Sequence, residues 1–168
     1  MHDSAKTNLL PFAEAHGHVI IAFSPLAQGM LSGKYHGAGL PANNIRTTSP
    51  VFQPENLEQT NDLIAALREV ADAHAATPAQ IALAWAIHQP AVTAIPGASS
   101  VEQLESNVAA AEIQLADDEY QALNKASARF CPAAVPDAPD RLNLSVLGHS
   151  ARGGWYLAKT VWHDLYRQ

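Results

Sequence analysis

The sequence contains a single cysteine, Cys131, among 168 residues. A lone cysteine cannot form an intramolecular disulfide, and it excludes zinc and iron–sulfur sites that need several thiolates. The eight histidines are scattered, and none forms the His-x-x-x-His pair of metalloproteases. His16 and His18 are two residues apart, so in a strand they would point to opposite faces. No metal site is therefore expected.

Positive charge and long apolar runs are also scarce. The chain has 10 basic and 16 acidic residues and a net charge of −6, whereas a nucleic-acid surface needs a basic stripe. The longest apolar stretch, residues 81–87, is too short to span a bilayer. The first four residues lack the basic-then-apolar pattern of a signal peptide. We expect a cytoplasmic protein with neither nucleic acid nor membrane as a partner.

The spacing of apolar residues along the chain predicts strands that alternate with helices. The expected elements are a helix ending at Ala15, a strand over residues 19–23, a long loop over 27–54, a helix over 55–75, a helix from Pro78 through Ile87, a strand over 92–95, a helix opened by Ser99 or Ser100, and a helix over 117–128. Strands that alternate with helices indicate an α/β fold with a parallel sheet.

Local signals sharpen several of these elements. Both strands are short apolar runs, typical of strands buried on both faces. Thr77, Pro78 and Gln80 form the start of a capped helix. A further apolar stripe, formed by Val101, Leu104 and Val108, predicts a core face for the helix that carries it. Two strands alone would leave open edges, so the pattern resembles part of a larger sheet and predicts self-association.

Residues 131–168 have a different composition from residues 1–130, and we treat the two ranges as separate regions. Three prolines within residues 131–139 indicate an extended linker. Residues 153–168 have the apolar spacing of an amphipathic helix, which we expect to dock on the body of the protein. A membrane-surface helix is the alternative, but only Lys159 and Arg167 would supply its basic face.

Two glycine-containing motifs each follow a predicted strand. The first, FSPLAQGMLSGKY at residues 23–35, combines a Ser-Pro turn, two glycines and Lys34, which lets backbone and a cation approach a ligand. The second, IPGASSVEQLESN at residues 95–107, leads through a glycine turn into a capped helix start with free N–H groups. Such a helix start suits a phosphate, although each motif alone would be an ordinary loop or cap.

Together and in this order the motifs resemble the aldo-keto reductase family, in particular its bacterial and potassium-channel-β-like branch. The resemblance covers about residues 8–130 and includes the NIR segment at residues 44–46. It implies a partial (β/α)₈ TIM barrel that comprises the last two β/α units and the carboxy-terminal helices. It also implies an NADP(H)-dependent carbonyl or alcohol oxidoreductase.

The resemblance carries family roles onto matching positions. Phe23 matches the aromatic residue that stacks on the nicotinamide, and Arg46 matches a loop arginine near the adenosine phosphate. The resemblance also implies which residues line the pyrophosphate, with a cation nearby: Ser24, Pro25, Leu26, Gly29 and Lys34. It implies a second set around the 2′-phosphate, ribose and adenine: Gly97, Ser99, Gln103 and Asn107. Lys34 and Arg46 favour a 2′-phosphate, and hence NADP(H), because cations recognise phosphate.

Some positions depart from the family pattern. Ser106 stands where a glutamate usually holds the adenine amino group, and Val19 where glycine is frequent. The family's tyrosine, lysine, aspartate and histidine come from the first half of the barrel, and none of them aligns here. No catalytic residue is therefore assigned, and a small carbonyl substrate is expected only if the missing half of the barrel is supplied. The alternatives are a non-catalytic nucleotide-binding or regulatory module and an inactive truncated product.

Overall fold

The computed structural model describes residues 9–37, 49 and 52–130. Arg46 and residues 131–168, for which the sequence predicts a loop cation, a linker and a helix, lie outside the described residues. The elements in chain order are α1 (Leu10–Ala15), β1 (Ile20–Phe23), a 3₁₀ segment (Ala27–Ser32), α2 (Pro54–Gln59), α3 (Asn61–Ala73), α4 (Pro78–Ala86), β2 (Val92–Ile95), α5 (Val101–Ala109), a short 3₁₀ turn (Ala110–Glu112) and α6 (Asp117–Ser127).

The two strands pair in parallel, which confirms the predicted α/β architecture. Ile20 pairs with Val92 and Phe23 with Ile95, so the strands have equal length and no stagger. Gly17 adopts a φ of +63° just after α1, as the predicted helix stop requires, and the chain then enters β1. Within the described part of the chain the sheet contains only these two strands.

The hydrophobic core lies between α3, α4 and α6, which we call the helical layer. Leu67, Ile81 and Leu123 are each 0% exposed, and each comes from a different helix of this layer. Residues 81–85 of α4 are all buried, as its nearly all-round apolar sequence predicts. The indole Nε1–H of Trp85 donates to Asn124 Oδ1 at 3.1 Å, which satisfies the polar atom of this buried ring.

The start of α4 follows the predicted chemistry, whereas the start of α6 uses a contact that the sequence analysis did not predict. Thr77 Oγ1 accepts from the Gln80 N–H at 3.3 Å, and Gln80 Oε1 accepts from the Thr77 N–H at 2.9 Å, which confirms the capping box. Ala116 cannot cap α6 through a side chain, but its N–H donates to Glu119 Oε2 at 2.9 Å. Glu119 also bonds His74 at the end of α3, so it ties α6 to α3.

Two expectations about chain path are wrong. The helix predicted over residues 55–75 is two helices, Pro54–Gln59 and Asn61–Ala73, which meet at Thr60, and the Thr60 hydroxyl donates to the Leu57 carbonyl at 2.8 Å. The loop predicted over residues 27–54 begins with a 3₁₀ segment at Ala27–Ser32. Apolar periodicity continues across the break at Thr60, which is why the sequence pattern does not reveal it.

The expected burial of both strand faces and of α5 is also wrong. Val19, Ile21 and Phe23 are 61–84% exposed along one face of β1, and Ile95 is 53% exposed beside them. No residue of α5 is buried. The α5 stripe predicted to face the core is exposed instead, at 67% for Val101, 55% for Leu104 and 63% for Val108. No described residue covers these apolar faces enough to bury them.

Candidate functional site

The two motifs meet at one edge of the sheet. Because the strands are parallel and Phe23 pairs with Ile95, the residues that follow each strand, Ser24 and Pro96, emerge at the same edge. Ligand sites of parallel α/β folds are built at this carboxyl edge. We call the two loops that follow the strands, together with the first turn of α5, the ligand edge.

The loop after β1 has an unusual backbone. Ser24, Ala27 and Gln28 have φ values of 50°, 48° and 57°, and Gly29 has a φ of 94°. The left-handed region is uncommon for non-glycine residues, and such conformations concentrate at functional sites. Sequence reasoning singled out Ser24 and Gly29 but not Ala27 and Gln28, because neither residue type signals this conformation.

Backbone hydrogen bonds maintain this conformation. The N–H groups of Ala27 and Gly29 donate to the carbonyls of Ser24 and Leu26, both at 2.9 Å. The Ser32 hydroxyl donates to the Gly29 carbonyl at 2.6 Å. The segment is therefore a compact turn whose shape is set before any ligand binds.

Lys34 is exposed at the end of this turn, and its neighbours fix the chain on either side. The Arg68 guanidinium on α3 donates to the Gly33 carbonyl at 3.4 Å. The His36 imidazole lies 2.8 Å, Nε2 to Oγ1, from the Thr60 hydroxyl. Sequence reasoning missed Arg68, His36 and Thr60, which lie in or beside segments that it treated as loop and continuous helix.

Burial lowers the pKa of His36 below its ordinary value of 6.5, and the positive charge of Arg68 lowers it further. The Thr60 hydroxyl proton is used in its bond to Leu57, so Nε2 of His36 must carry the proton that Thr60 Oγ1 accepts. A neutral His36 with its proton on Nε2 fits both observations.

The loop after β2 organises the start of α5. Ser100, rather than Ser99, is the N-cap, and its Oγ accepts from the Gln103 N–H at 3.2 Å. Gln103 Oε1 in turn accepts from the N–H and hydroxyl of Ser99 at 2.8 and 2.9 Å. Asn107 Nδ2 donates to the Gly97 carbonyl at 3.4 Å. The structure thus brings Gly97, Ser99, Gln103 and Asn107 together at the start of α5 as two hydrogen-bonded pairs.

The first turn of α5 favours negative charge. The pKa of Glu102 lies below its ordinary value of 4.5, because its own backbone N–H and then Ser100 bond to the carboxylate. This is the behaviour expected at the positive end of a helix. Residues 97–109 contain neither lysine nor arginine, so Lys34 and Arg46 are the cations that the sequence assigns to this edge.

The remaining predicted residues differ in exposure. The Phe23 ring is 84% exposed, which leaves its faces open to a planar ligand. Pro25 and Gly29 are half-buried in the turn, while Leu26 packs against the core of the helical layer. Gly97 has no atom within 4 Å of where a Cβ would lie, so the surface there is open.

Other features of the described residues lie away from this edge. A shallow depression of about 350 Å³ between α3 and α6 and a smaller one of about 180 Å³ beside α4 include no residue of either motif. Tyr35 packs edge-on against Phe52, and Tyr120 stacks on His88 at 4.0 Å, so both rings have packing roles. The described residues hold no helix long and apolar enough to cross a membrane.

His16 and His18 do not diverge as a strand would require. Both rings lie beside Phe12, with centroid distances of 4.2 and 5.9 Å, because the turn at Gly17 separates them. His16 Nδ1 also bonds the Phe12 carbonyl at 2.8 Å. Over residues 9–37, 49 and 52–130, no group of three or more potential ligands is arranged around a metal position.

Comparison with known proteins gives consistent results. The family model described as "Aldo/keto reductase family" matches residues 1–128. An uncharacterised oxidoreductase of Mycobacterium tuberculosis (strain ATCC 25618 / H37Rv) is 50% identical over 134 residues, which are 80% of this chain and 41% of that protein. An aldo-keto reductase of Strobilurus tenacellus is 38% identical over 125 residues, or 73% of this chain and 37% of the relative.

Solved structures agree on the fold. The glycerol dehydrogenase from Gluconobacter oxydans matches with a TM-score of 0.66 and 26% identity, over 80% of this chain and 42% of that one. A thermostable aldo-keto reductase solved with the inhibitor epalrestat matches with a TM-score of 0.53 and 30% identity, over 74% of this chain and 35% of that one. Both are aldo-keto reductase (β/α)₈ barrels, and the small parallel sheet here is consistent with part of one.

This chain spans about two fifths of the length of these proteins. The family model nevertheless matches most of its residues, including both motifs of the ligand edge. The chain belongs to the aldo/keto reductase family.

Proposed function

We propose that this chain is the cofactor-binding, carboxy-terminal part of an NADP(H)-dependent aldo-keto reductase of the bacterial and potassium-channel-β-like branch. Its two strands would then be the seventh and eighth of the barrel. The observation that carries the proposal is the unstaggered strand register, which brings both motifs to one edge. The oxidoreductase and aldo-keto reductase relatives support the reaction class.

The residues of the ligand edge fit a dinucleotide. The open Phe23 ring offers a stacking face, and the open surface at Gly97 admits a ligand close to the backbone. Ser99, Gln103 and Asn107 form a polar cluster beside the helix N-terminus, where an anion is favoured. When bound, the nicotinamide would supply the hydride that reduces a carbonyl.

The cations of the neighbouring loop support the choice of NADP(H). Lys34 is exposed beside the compact turn, and Arg46 follows in the same loop of the sequence. Each would attract the 2′-phosphate as a point charge or bidentate donor. Because Lys34 is exposed, its contribution should weaken as salt screens it.

Carbonyl reduction would need a polypeptide that supplies the other strands together with the proton donor. Parallel sheets are stable when both faces are covered, whereas one face here is exposed along β1. We therefore propose that the chain works with such a polypeptide and that, without it, the open edges favour self-association. Sedimentation over a range of concentrations would detect that association.

Nucleotide titration tests the cofactor assignment. We expect the purified chain to bind NADPH more tightly than NADH, and Lys34→Ala to reduce this preference. Lys125→Ala, which changes an exposed lysine on α6, is the matched control and should leave it unchanged. The proposal of an autonomous cofactor-binding part would fail if NADPH fluorescence stayed constant up to high protein concentration.

Complementation tests the proposed catalysis. The chain would be coexpressed with the amino-terminal part of the 50%-identical mycobacterial oxidoreductase, and NADPH oxidation would be followed with a panel of small carbonyl compounds. We expect turnover only when both polypeptides are present. Binding of NADPH without turnover in a purified complex would instead favour a nucleotide-binding or regulatory module.

A further inference from the structure

Residues 33–37, which we call the Lys34 segment, carry the exposed lysine of the proposed site. Besides the buried Tyr35 ring, which packs edge-on against Phe52, two polar side-chain contacts hold this segment against the rest of the molecule. At its start, Arg68 Nη2 of α3 donates to the Gly33 carbonyl at 3.4 Å. Near its end, His36 Nε2 donates to Thr60 Oγ1 at 2.8 Å. Lys34 lies between these two anchors.

The anchor at His36 has little tolerance for a change of charge. The hydroxyl of Thr60 is committed to the Leu57 carbonyl at 2.8 Å, and Thr60 is 1% exposed. His36 Nδ1 is shielded from solvent and has no hydrogen-bond partner among the described residues. A proton on Nδ1 would therefore add a shielded donor close to Arg68, with no acceptor for it among the described residues.

We propose that His36 is a positioning residue that fixes the Lys34 segment in its neutral form and releases it on protonation. This inference rests on the proposed function for its consequence, because Lys34 is the cation assigned to the cofactor phosphate. The anchor at His36 does not depend on that function, because it follows from the bond between His36 and Thr60 and the bond between Thr60 and Leu57. The site would thus have its cation held in place at neutral pH and lose that placement in acid.

The charges around His36 set the direction of this response. Arg68 on α3 is the positive group that acts on the imidazole, and burial acts in the same direction, so the pKa of His36 lies below 6.5. Thr60, at the α2–α3 junction, faces the His36 imidazole with an uncharged hydroxyl. The carboxylates of Glu55 and Glu58 on α2 are exposed to solvent. Lys34, two residues along the chain, is the nearest other cation in the sequence. A lowered pKa means that the anchor is complete above pH 6.5 and is lost as pH falls through the folded-state value.

Nuclear magnetic resonance of the ligand-free chain tests the anchor. The backbone N–H of His36 donates to the Gly33 carbonyl at 3.3 Å, so its hydrogen exchange reports on the segment. At pH 7.5 we expect Thr60→Val to accelerate this exchange at least several-fold and Thr60→Ser to leave it near the wild-type rate. Equal exchange in all three proteins, with circular dichroism showing the same helix content, would overturn the proposal.

A pH titration separates positioning from general packing. The Gly33 and Gly37 amide resonances should shift with a midpoint below 6.5, and His36→Gln, which retains an N–H donor but cannot titrate, should abolish that shift. His18→Gln, at an exposed histidine beside α1, is the control and should preserve it. An ordinary midpoint near 6.5 for His36, or a shift that persists in His36→Gln, would refute the switch.

A parallel titration with 2′,5′-ADP connects the anchor to the proposed site. We expect wild-type affinity to fall below the His36 midpoint more steeply than that of His36→Gln, at constant ionic strength. A segment that responds to pH while 2′,5′-ADP binds neither protein would refute the nucleotide site but keep the anchor. Binding that is equally pH-dependent in both proteins would refute the role of His36 and keep the nucleotide site.

Discussion

The helical layer and the ligand edge differ in how their apolar side chains are used. In the layer of α3, α4 and α6, apolar residues pack against one another, and Leu67, Ile81 and Leu123 are fully buried. On the sheet face that adjoins the ligand edge and on α5, apolar residues are exposed, most of all Phe23 at 84%. The same kind of sequence pattern therefore has two different structural outcomes in one chain.

The difference shows which part of the chain can supply its own stability. Buried apolar area stabilises the folded state at about 25 cal/mol per Å², so the helical layer contributes most of that stabilisation. α5 has no buried residue, and it is linked to the layer by Gln80, whose Nε2 donates to the Ser106 carbonyl at 3.2 Å. In a (β/α)₈ barrel the faces that are exposed here are covered by further strands and helices. The ligand edge therefore contributes less to the stability of this chain than the helical layer does.

Truncating one leucine in each region is the strongest test of this comparison. Leu67→Ala should lower the free energy of unfolding by about 2–5 kcal/mol, because it leaves a cavity in the core. Leu104→Ala on α5 should change it by less than about 0.5 kcal/mol, because that side chain is exposed. Urea denaturation of both variants measures the contrast. Comparable losses would show that α5 is packed in solution and that the two regions do not differ.

Removal of Phe23 should have the opposite signature. Phe23→Ala should leave the urea midpoint almost unchanged, since the ring is 84% exposed. Its loss should weaken NADPH binding by about 1–3 kcal/mol, the usual contribution of an aromatic stack on a base. Phe12→Ala, at a half-exposed ring on α1, is the control for NADPH affinity. A large stability loss with unchanged affinity would make Phe23 a core residue and remove it from the proposed site.

The cap of α5 gives a smaller effect at the boundary between the regions. Ser100→Ala should destabilise the start of α5 by about 1 kcal/mol, because the Gln103 N–H loses its acceptor. Ser99→Ala should cost less, because the Ser99 backbone N–H keeps its bond to Gln103. Hydrogen exchange of the Gln103 amide distinguishes the two serines. Faster exchange in Ser99→Ala than in Ser100→Ala would contradict the observed cap.

The sequence predicts local elements better than it predicts their surroundings. Capping chemistry correctly locates the start of α4 at Pro78, and apolar runs locate both strands, because these signals depend on neighbouring residues. Burial of Val101 and Leu104 was predicted from the same kind of pattern and is wrong, because burial depends on which elements cover a face. Apolar periodicity indicates that a helix or strand has an apolar face, but it does not indicate which element covers that face.

The candidate site divides in the same way. The family resemblance implies that both motifs contact one cofactor, and the strand register brings the motifs to one edge, although the cofactor role of each residue stays a prediction. Neither residue type indicates the left-handed conformations of Ala27 and Gln28. The contact of His36 with Thr60 joins residues 24 positions apart, and it depends on a helix break that apolar spacing conceals. Long-range polar contacts of this kind require the folded chain.

The smallest predicted effect concerns the link between α3 and α6 within the helical layer. His74 Nε2 lies 2.9 Å from Glu119 Oε2, and this bond, followed by the bond from the Ala116 N–H, lowers the pKa of Glu119 below its ordinary value of 4.5. Since the folded-state pKa is lowered, the associated stability is complete above pH 4.5 and is lost as pH falls through the folded value.

We expect Glu119→Gln to cost at most about 1 kcal/mol at pH 7, as is usual for a partly exposed pair, with the deficit disappearing in acid. Glu112→Gln, at an exposed glutamate in the same part of the chain, should show no such pH dependence in urea denaturation. A deficit for Glu119→Gln that stayed constant from pH 7 to pH 3 would mean that the carboxylate charge contributes nothing to the link between α3 and α6.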